Sequence, residues 1–146
     1  MSSPMYNSVG IQLINFMANP GAMRNAWLKD DHLEIYVRHS TRMLPVDGDW
    51  KRCDTLDIAN IRDVPELYRG KGHWKTFITT AEGYNRWDAV YVENIHPAEL
   101  RDQLSRHGYQ MVHPGDVQEL GYASMFKMNH QDNEDLYKQL EELRKG

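Results

Sequence analysis

The residues with the clearest chemical potential are Arg69-Gly70-Lys71-Gly72-His73-Trp74, two cations and two glycines within six positions. The run before them, residues 55–64, is rich in alternating apolar side chains. From Gly72 onward Trp74, Phe77, Ile78, Ala81 and Tyr84 recur at helical spacing, which places the stretch at a strand-to-helix turn. Such a turn can hold an anion. The first turn of a helix has backbone N–H groups without partners and roughly half a positive charge, and glycine lets a phosphate approach the main chain. An ordinary surface turn with solvated cations accounts for the same residues. The pattern has no Gly-Lys-Ser/Thr and no third glycine at the offset of a dinucleotide fingerprint.

The elements around the turn follow from periodicity. Val9, Leu13, Phe16 and Met17, with Ile11 and Ile14 beside them, predict an amino-terminal helix that Asn19-Pro20-Gly21 ends, with a further helical turn at residues 22–27. Leu33, Ile35, Val37 and Met43 alternate with Glu34, Tyr36, Arg38 and Arg42, the period of a half-buried strand. A turn at residues 45–49 then joins it to a second strand near residues 51–64 in an antiparallel hairpin. After the glycine turn and its helix, closed by Gly83 and Asn85, Ala89-Val90-Tyr91-Val92 reads as a buried strand. A strand, a helix and a strand imply a parallel crossover, with ligands at the strand ends facing the helix amino terminus. A helix opened by His96-Pro97, with Leu100 and Leu104 inward, stops at Gly108. Strands near 109–112 and 122–128 follow, and then a helix over 131–146 with Leu136, Leu140 and Leu143 as a stripe.

Composition sets the frame. The 146 residues, 40% hydrophobic and 26% charged, fit one soluble globular domain of mixed α/β class, with helices on a mixed α+β sheet. Net charge is −4 with both signs interspersed, so no extended basic face suits nucleic acid. Cys53 is the one cysteine, which excludes an internal disulfide and a cysteine-based zinc site and suits a reducing cytoplasm. Neither a membrane span nor a signal peptide is read from the sequence.

The order of elements, with Arg69 and Gly72 at the turn and Val64-Pro65-Glu66-Leu67-Tyr68 leading into it, resembles the GNAT superfamily of acyl-CoA-dependent N-acetyltransferases. Its signature is Arg or Gln, two residues, Gly, one residue, then Gly or Ala; here Trp74 stands at the last position. The resemblance covers about residues 33–128. It includes the later strand at 89–93, the helix at 97–107 and the pair Gly108-Tyr109. The strand that usually opens the GNAT sheet is not visible, because residues 5–27 read as helical. The tyrosine that often serves as general acid falls near Leu104, and the asparagine that often starts that helix falls at Pro97, with Asn94 three residues earlier.

The resemblance implies acetyl-CoA as acyl donor and an amine as acceptor, on a small molecule or a protein; a homodimer is compatible with it. Arg69, Gly70, Lys71, Gly72, His73 and Trp74 would hold the pyrophosphate. Backbone N–H groups among residues 60–64, which include Ile61, Arg62, Asp63 and Val64, would face the thioester carbonyl. Asn94 or Glu93 would touch the pantetheine arm. Asp57, at nearly the family's distance before Arg69, would take the proton of the amine; a strand-edge carboxylate in a hydrogen bond or ion pair is the alternative. With leucine at 104, Tyr91 and Tyr109 are candidate proton donors to the thiolate. The alternative to an enzyme is a GNAT-fold binding or interaction module that has lost catalysis.

Overall fold

The computed structural model describes residues 8–19, 24–63, 72–129 and 142–143. The amino-terminal helix α1 spans Val9–Ala18 and opens on Ser8, whose Oγ accepts the Ile11 N–H at 3.1 Å. Strand β1 is Asn25–Lys29, β2 Leu33–Val46 and β3 Asp49–Asp63. Helix α2, His73–Tyr84, leads to β4, Ala89–Ile95. Helix α3, Ala98–Arg106, is followed by β5, Gln110–Met111, the short α4, Asp116–Leu120, and β6, Ala123–Met128.

Among the described residues six strands form one mixed sheet in the order β1-β2-β3-β4-β6-β5, in which the β3–β4 pair is parallel and the others antiparallel. The expected hairpin is present and longer than its alternation implied. Its two-residue turn, Asp47-Gly48, has φ of 53° and 85°, the left-handed pair that matches strand twist. The expected helical turn at residues 22–27 is corrected: residues 25–29 pair with β2, Trp27 standing opposite Tyr36. An edge strand this short carries too little periodicity to separate it from a helical turn. Pro97 caps α3 from outside instead of starting it, and residues 116–120, between the two expected strands, are helical. The carboxy-terminal helix falls mostly outside the described residues.

Side-chain alternation puts two cores on opposite faces of the sheet. Leu33, Ile35, Val37, Leu56, Ile58, Val90, Val92 and Met125 face α1, α2 and α3, and bury Leu13, Phe16, Met17, Phe77, Ile78, Ala81 and Leu104 with them. The other face carries a smaller cluster of Leu44, Cys53, Ala89, Tyr91, Val112 and Phe126. Met43, expected inward, is exposed, and Leu44 is fully buried. Toward the hairpin turn the second cluster takes over, so Leu44 of β2 and Cys53 of β3 are buried together on the face away from α1–α3. Cys53 is the small buried residue its type suggests.

Asp30 fastens α1 to the sheet. Its Oδ2 accepts the Val9 N–H at 3.0 Å, while Oδ1 accepts those of His32 and Leu33 at 2.8 and 2.9 Å. Burial raises its carboxyl pKa, but the three backbone donors outweigh that and hold it below the ordinary value. The folded pKa therefore lies below the unfolded one. The stabilisation is fully present above about pH 3.9 and is lost as pH falls through the folded value. Asp30→Ala is expected to cost about 1–2 kcal/mol, a drop of several degrees in Tm at pH 7. The difference from wild type should narrow in acid; a constant difference down to pH 2 would show that the carboxylate charge contributes nothing.

Candidate functional site

The parallel pair β3–β4 is short for the strands that make it. Residues 55–58 pair with residues 89–92, yet β3 continues to Asp63 and β4 to Ile95. Beyond Ile58 and Val92 the two strands no longer pair with each other, and a gap opens at their carboxyl ends. Each strand is irregular at that point. In β3 the register steps from Val37–Ile58 to Tyr36–Asn60 and skips Ala59. In β4 it steps from Val92–Met125 to Ile95–Ala123, so that Glu93 and Asn94 oppose Ser124 alone. Bulges of this kind bend a strand and leave the extra residue outside the ladder. Asn94 takes φ of 50°, which asparagine tolerates, and its N–H donates to Ser124 Oγ at 3.0 Å.

A charged network lies beside the gap on the face away from α1–α3. Asp57 is fully buried. Its Oδ2 accepts Arg38 Nε at 3.0 Å and Arg42 Nη2 at 2.6 Å, and its Oδ1 accepts the Thr55 hydroxyl at 2.7 Å. Arg38 Nη2 continues to Glu93 Oε2 at 2.9 Å. The Arg42 guanidinium lies 4.0 Å from the centroid of the Tyr91 ring. Burial by itself lowers the pKa of both arginines, but hydrogen bonds to Asp57 and the charges of Asp57 and Glu93 raise it beyond that loss. Both stay cationic.

This arrangement is the alternative expected for Asp57, a strand carboxylate held in ion pairs and a hydrogen bond. Both oxygens are taken up by two guanidinium groups and a hydroxyl, so no lone pair is turned toward an incoming amine. The carboxylate anchors Arg38 and Arg42. Glu93 is better placed, because it stands where the strands part and is 24% exposed. Among the described residues nothing donates to its Oε1. Arg38 and Arg42 were legible in the sequence only as the outward residues of an alternating strand. Their spacing of four does put both on one face of a strand, but nothing in that spacing points to Asp57.

The other sequence candidates separate. Gly72 caps α2 with φ of 86°, and a Cβ built there meets nothing within 4 Å. His73 turns toward the β1–β2 connection and stacks on His32, with centroids 3.8 Å apart. Trp74 packs on the main core beside Phe77; among the described residues its buried Nε1 has no hydrogen-bond partner. Ile61 also packs on that core, and Arg62 and Asp63 end β3 opposite Glu34 and Leu33. Val64, Arg69, Gly70 and Lys71 lie outside the described residues. Leu104 is buried in the core. Tyr109 donates its hydroxyl to Glu82 Oε2 at 2.7 Å, and burial followed by that carboxylate pushes its pKa far above the ordinary tyrosine range. His96 lies against Tyr122 rather than capping α3.

Among the described residues no group of three or more His, Cys, Asp or Glu side chains is arranged to hold a metal ion, and no helix is long and apolar enough to cross a membrane. The described fold is thus a six-stranded mixed sheet flanked by helices, with the candidate site at the carboxyl ends of the parallel pair β3–β4. No protein-family model matches the sequence, and no curated protein matches it. Among solved structures, one described as a bacterial toxin is similar in fold, with a TM-score of 0.50 and 12% identity. The match covers 78% of this chain and 66% of that one. This chain therefore spans just under two thirds of that protein's length, and at this identity the likeness carries the fold alone.

Proposed function

We propose that the chain is an acetyl-CoA-dependent N-acetyltransferase of the GNAT type. The observation that carries the reading is the parting of β3 and β4 at paired bulges, the first of them on the strand that precedes α2 in the chain. The arm of CoA is an extended chain with two amides, and strand edges that no longer pair with each other are suited to receive it. Among the described residues nothing fills the space where a side chain at Gly72 would stand and nothing accepts from the buried Trp74 Nε1, a donor for a phosphate or carbonyl oxygen. Arg69 and Lys71 belong to the same turn in sequence.

Bound acetyl-CoA supplies an activated acyl group. Backbone N–H groups at the β3 bulge, residues 59–61, are the candidates to receive the negative charge that develops on the carbonyl oxygen. In the transfer a nitrogen–carbon bond forms as the carbon–sulphur bond breaks; the electron pair leaves on sulphur, which takes a proton from solvent. The proton of the amine passes to Glu93. Arg38, fixed by Asp57, holds Glu93 in place.

Acetyl-CoA at about 100 times its dissociation constant is expected to add roughly 2.7 kcal/mol of stability, a Tm rise of several degrees. No rise with acetyl-CoA or CoA, and no heat in calorimetry, would end this reading. Gly72→Asp and Gly72→Asn share the same left-handed strain and nearly the same bulk, so their difference isolates charge. Asp should lose far more CoA affinity than Asn; equal losses would move the phosphates elsewhere. A second reading, a CoA-binding or interaction module without catalysis, draws support from buried Leu104 and from the Tyr109–Glu82 hydrogen bond, which leave that side of the gap without a proton donor. Tight CoA binding with no amine acetylated would favour it.

A further inference from the structure

On the sheet face away from α1–α3 lies a cavity of about 270 Å³ bordered by Thr41, Arg42, Tyr91, His113, Asp116 and Ser124. Its charged groups are of both signs. Arg42 is pre-set: Asp57 grips Nη2, the Tyr91 ring supports the plane, and 26% of the side chain remains exposed. Asp116, the first residue of α4, is half-buried, and among the described residues its carboxylate makes no ion pair or hydrogen bond. Ser124 ties the cavity to the strand gap, since its hydroxyl accepts the Asn94 N–H and it stands across from Glu93 and Asn94 in the β4–β6 register.

From this we infer that the cavity binds the acceptor, and that the acceptor is a free amino acid, a small molecule with a primary amine and a carboxylate. The inference rests on the acetyltransferase reading. Arg42 is paired with Asp57 but keeps Nη1 outside that pair, and Asp116 has no partner among the described residues, so a ligand that brings both opposite charges meets a donor and an acceptor in one small cavity. Arg42 offers a carboxylate the Nη1 edge that Asp57 leaves unused, and Asp116 receives the ammonium. The volume lies below the roughly 300–1,000 Å³ of pockets that enclose drug-sized ligands, which suits a metabolite of amino-acid size. The position is consistent as well: a ligand resting over Tyr91 reaches the strand gap past Ser124. There the ammonium, on leaving Asp116, gives a proton to Glu93, and the freed nitrogen pair attacks the acyl carbon arriving from the helix side.

The test compares free L-amino acids with their decarboxylated partners as acceptors: lysine with cadaverine, histidine with histamine, tyrosine with tyramine. The remaining amino acids and a short peptide with a free amino terminus complete the set. Acyl transfer is followed by thiol release and by product mass. At least one amino acid should exceed its decarboxylated partner by about 10²-fold or more in kcat/KM, because truncating one partner of a charged hydrogen-bonded pair costs that much. Arg42→Gln should bring the two together. Since that change also disturbs Asp57, Asp116→Asn provides a second variant, expected to raise KM for the amino acid at least tenfold with CoA affinity and Tm unchanged. Equal use of amino acids and decarboxylated amines, or acetylation of the peptide alone, would overturn the inference while leaving the transferase intact. If acetyl-CoA does not bind, the transferase reading fails separately. Calorimetry with the same amino acids then decides the cavity: binding weakened by Asp116→Asn upholds a zwitterion site, and no binding removes it.

Discussion

Asp57→Ala is expected to destabilise the fold by about 3–5 kcal/mol, the usual consequence of removing one partner from a buried ion pair. The carboxylate is fully buried between Arg38 and Arg42, so its loss leaves two partly desolvated guanidinium groups facing each other at close range. A loss that large is a substantial share of the about 5–15 kcal/mol that typically holds a domain folded. Urea denaturation would show it as a lower midpoint at unchanged slope. A change below about 1 kcal/mol would mean that water screens the triad as it does a surface pair. Asp57→Asn keeps the shape and two acceptor contacts, and is expected to fall between wild type and alanine.

Glu93→Gln is expected to lower turnover by about 10²–10⁴-fold on a confirmed acceptor, the range for loss of a general base, with CoA affinity nearly unchanged. The acidic limb of the pH–rate profile should vanish with it. Glutamine can still accept from Arg38, so the network and the fold are preserved. The comparison with Asp57→Asn separates the two carboxylates. If Asp57 only positions, its asparagine variant keeps the acidic limb while losing rate, whereas a base at Asp57 would take the limb away. Normal turnover in Glu93→Gln would assign the proton to solvent or to a chain of waters.

The described elements divide cleanly by the range of the interactions that form them. Helices α1, α2 and α3 and the β2–β3 hairpin were legible because each is set by neighbours a few residues away. Apolar residues at helical spacing define α2 from Trp74 to Tyr84, and Asp47-Gly48 can take the left-handed pair of angles that a two-residue turn demands. The strand-helix-strand order likewise required the one parallel pairing in the sheet. Strand β1 escaped because five residues at an edge take their conformation from the partner, Trp27 against Tyr36, and not from their own pattern. The exchange of Met43 for Leu44 as the buried residue escaped for a related reason. Alternation fixes that two faces exist, but which face meets a core depends on where β1 ends and where Val112 and Phe126 arrive.

Part of the candidate site was legible in the sequence: Gly72 at the start of a helix, with Glu93 and Asn94 at the end of the next strand. The role of Asp57 was decided only by the tertiary structure. Arg38 and Arg42, nineteen and fifteen positions away, close over it because the hairpin register folds them back onto β3. The parting of β3 and β4 is equally non-local. It requires a skipped residue in each strand, at Ala59 and at Glu93-Asn94, and each bulge exists only relative to the strand it pairs with. The cavity that joins Arg42, Asp116 and Ser124 draws on three segments far apart in sequence, and no spacing in the chain encodes their meeting. Local pattern thus specified the elements and the end of the sheet where chemistry is expected, while long-range pairing decided which charges are spent on holding the fold and which stay partly exposed.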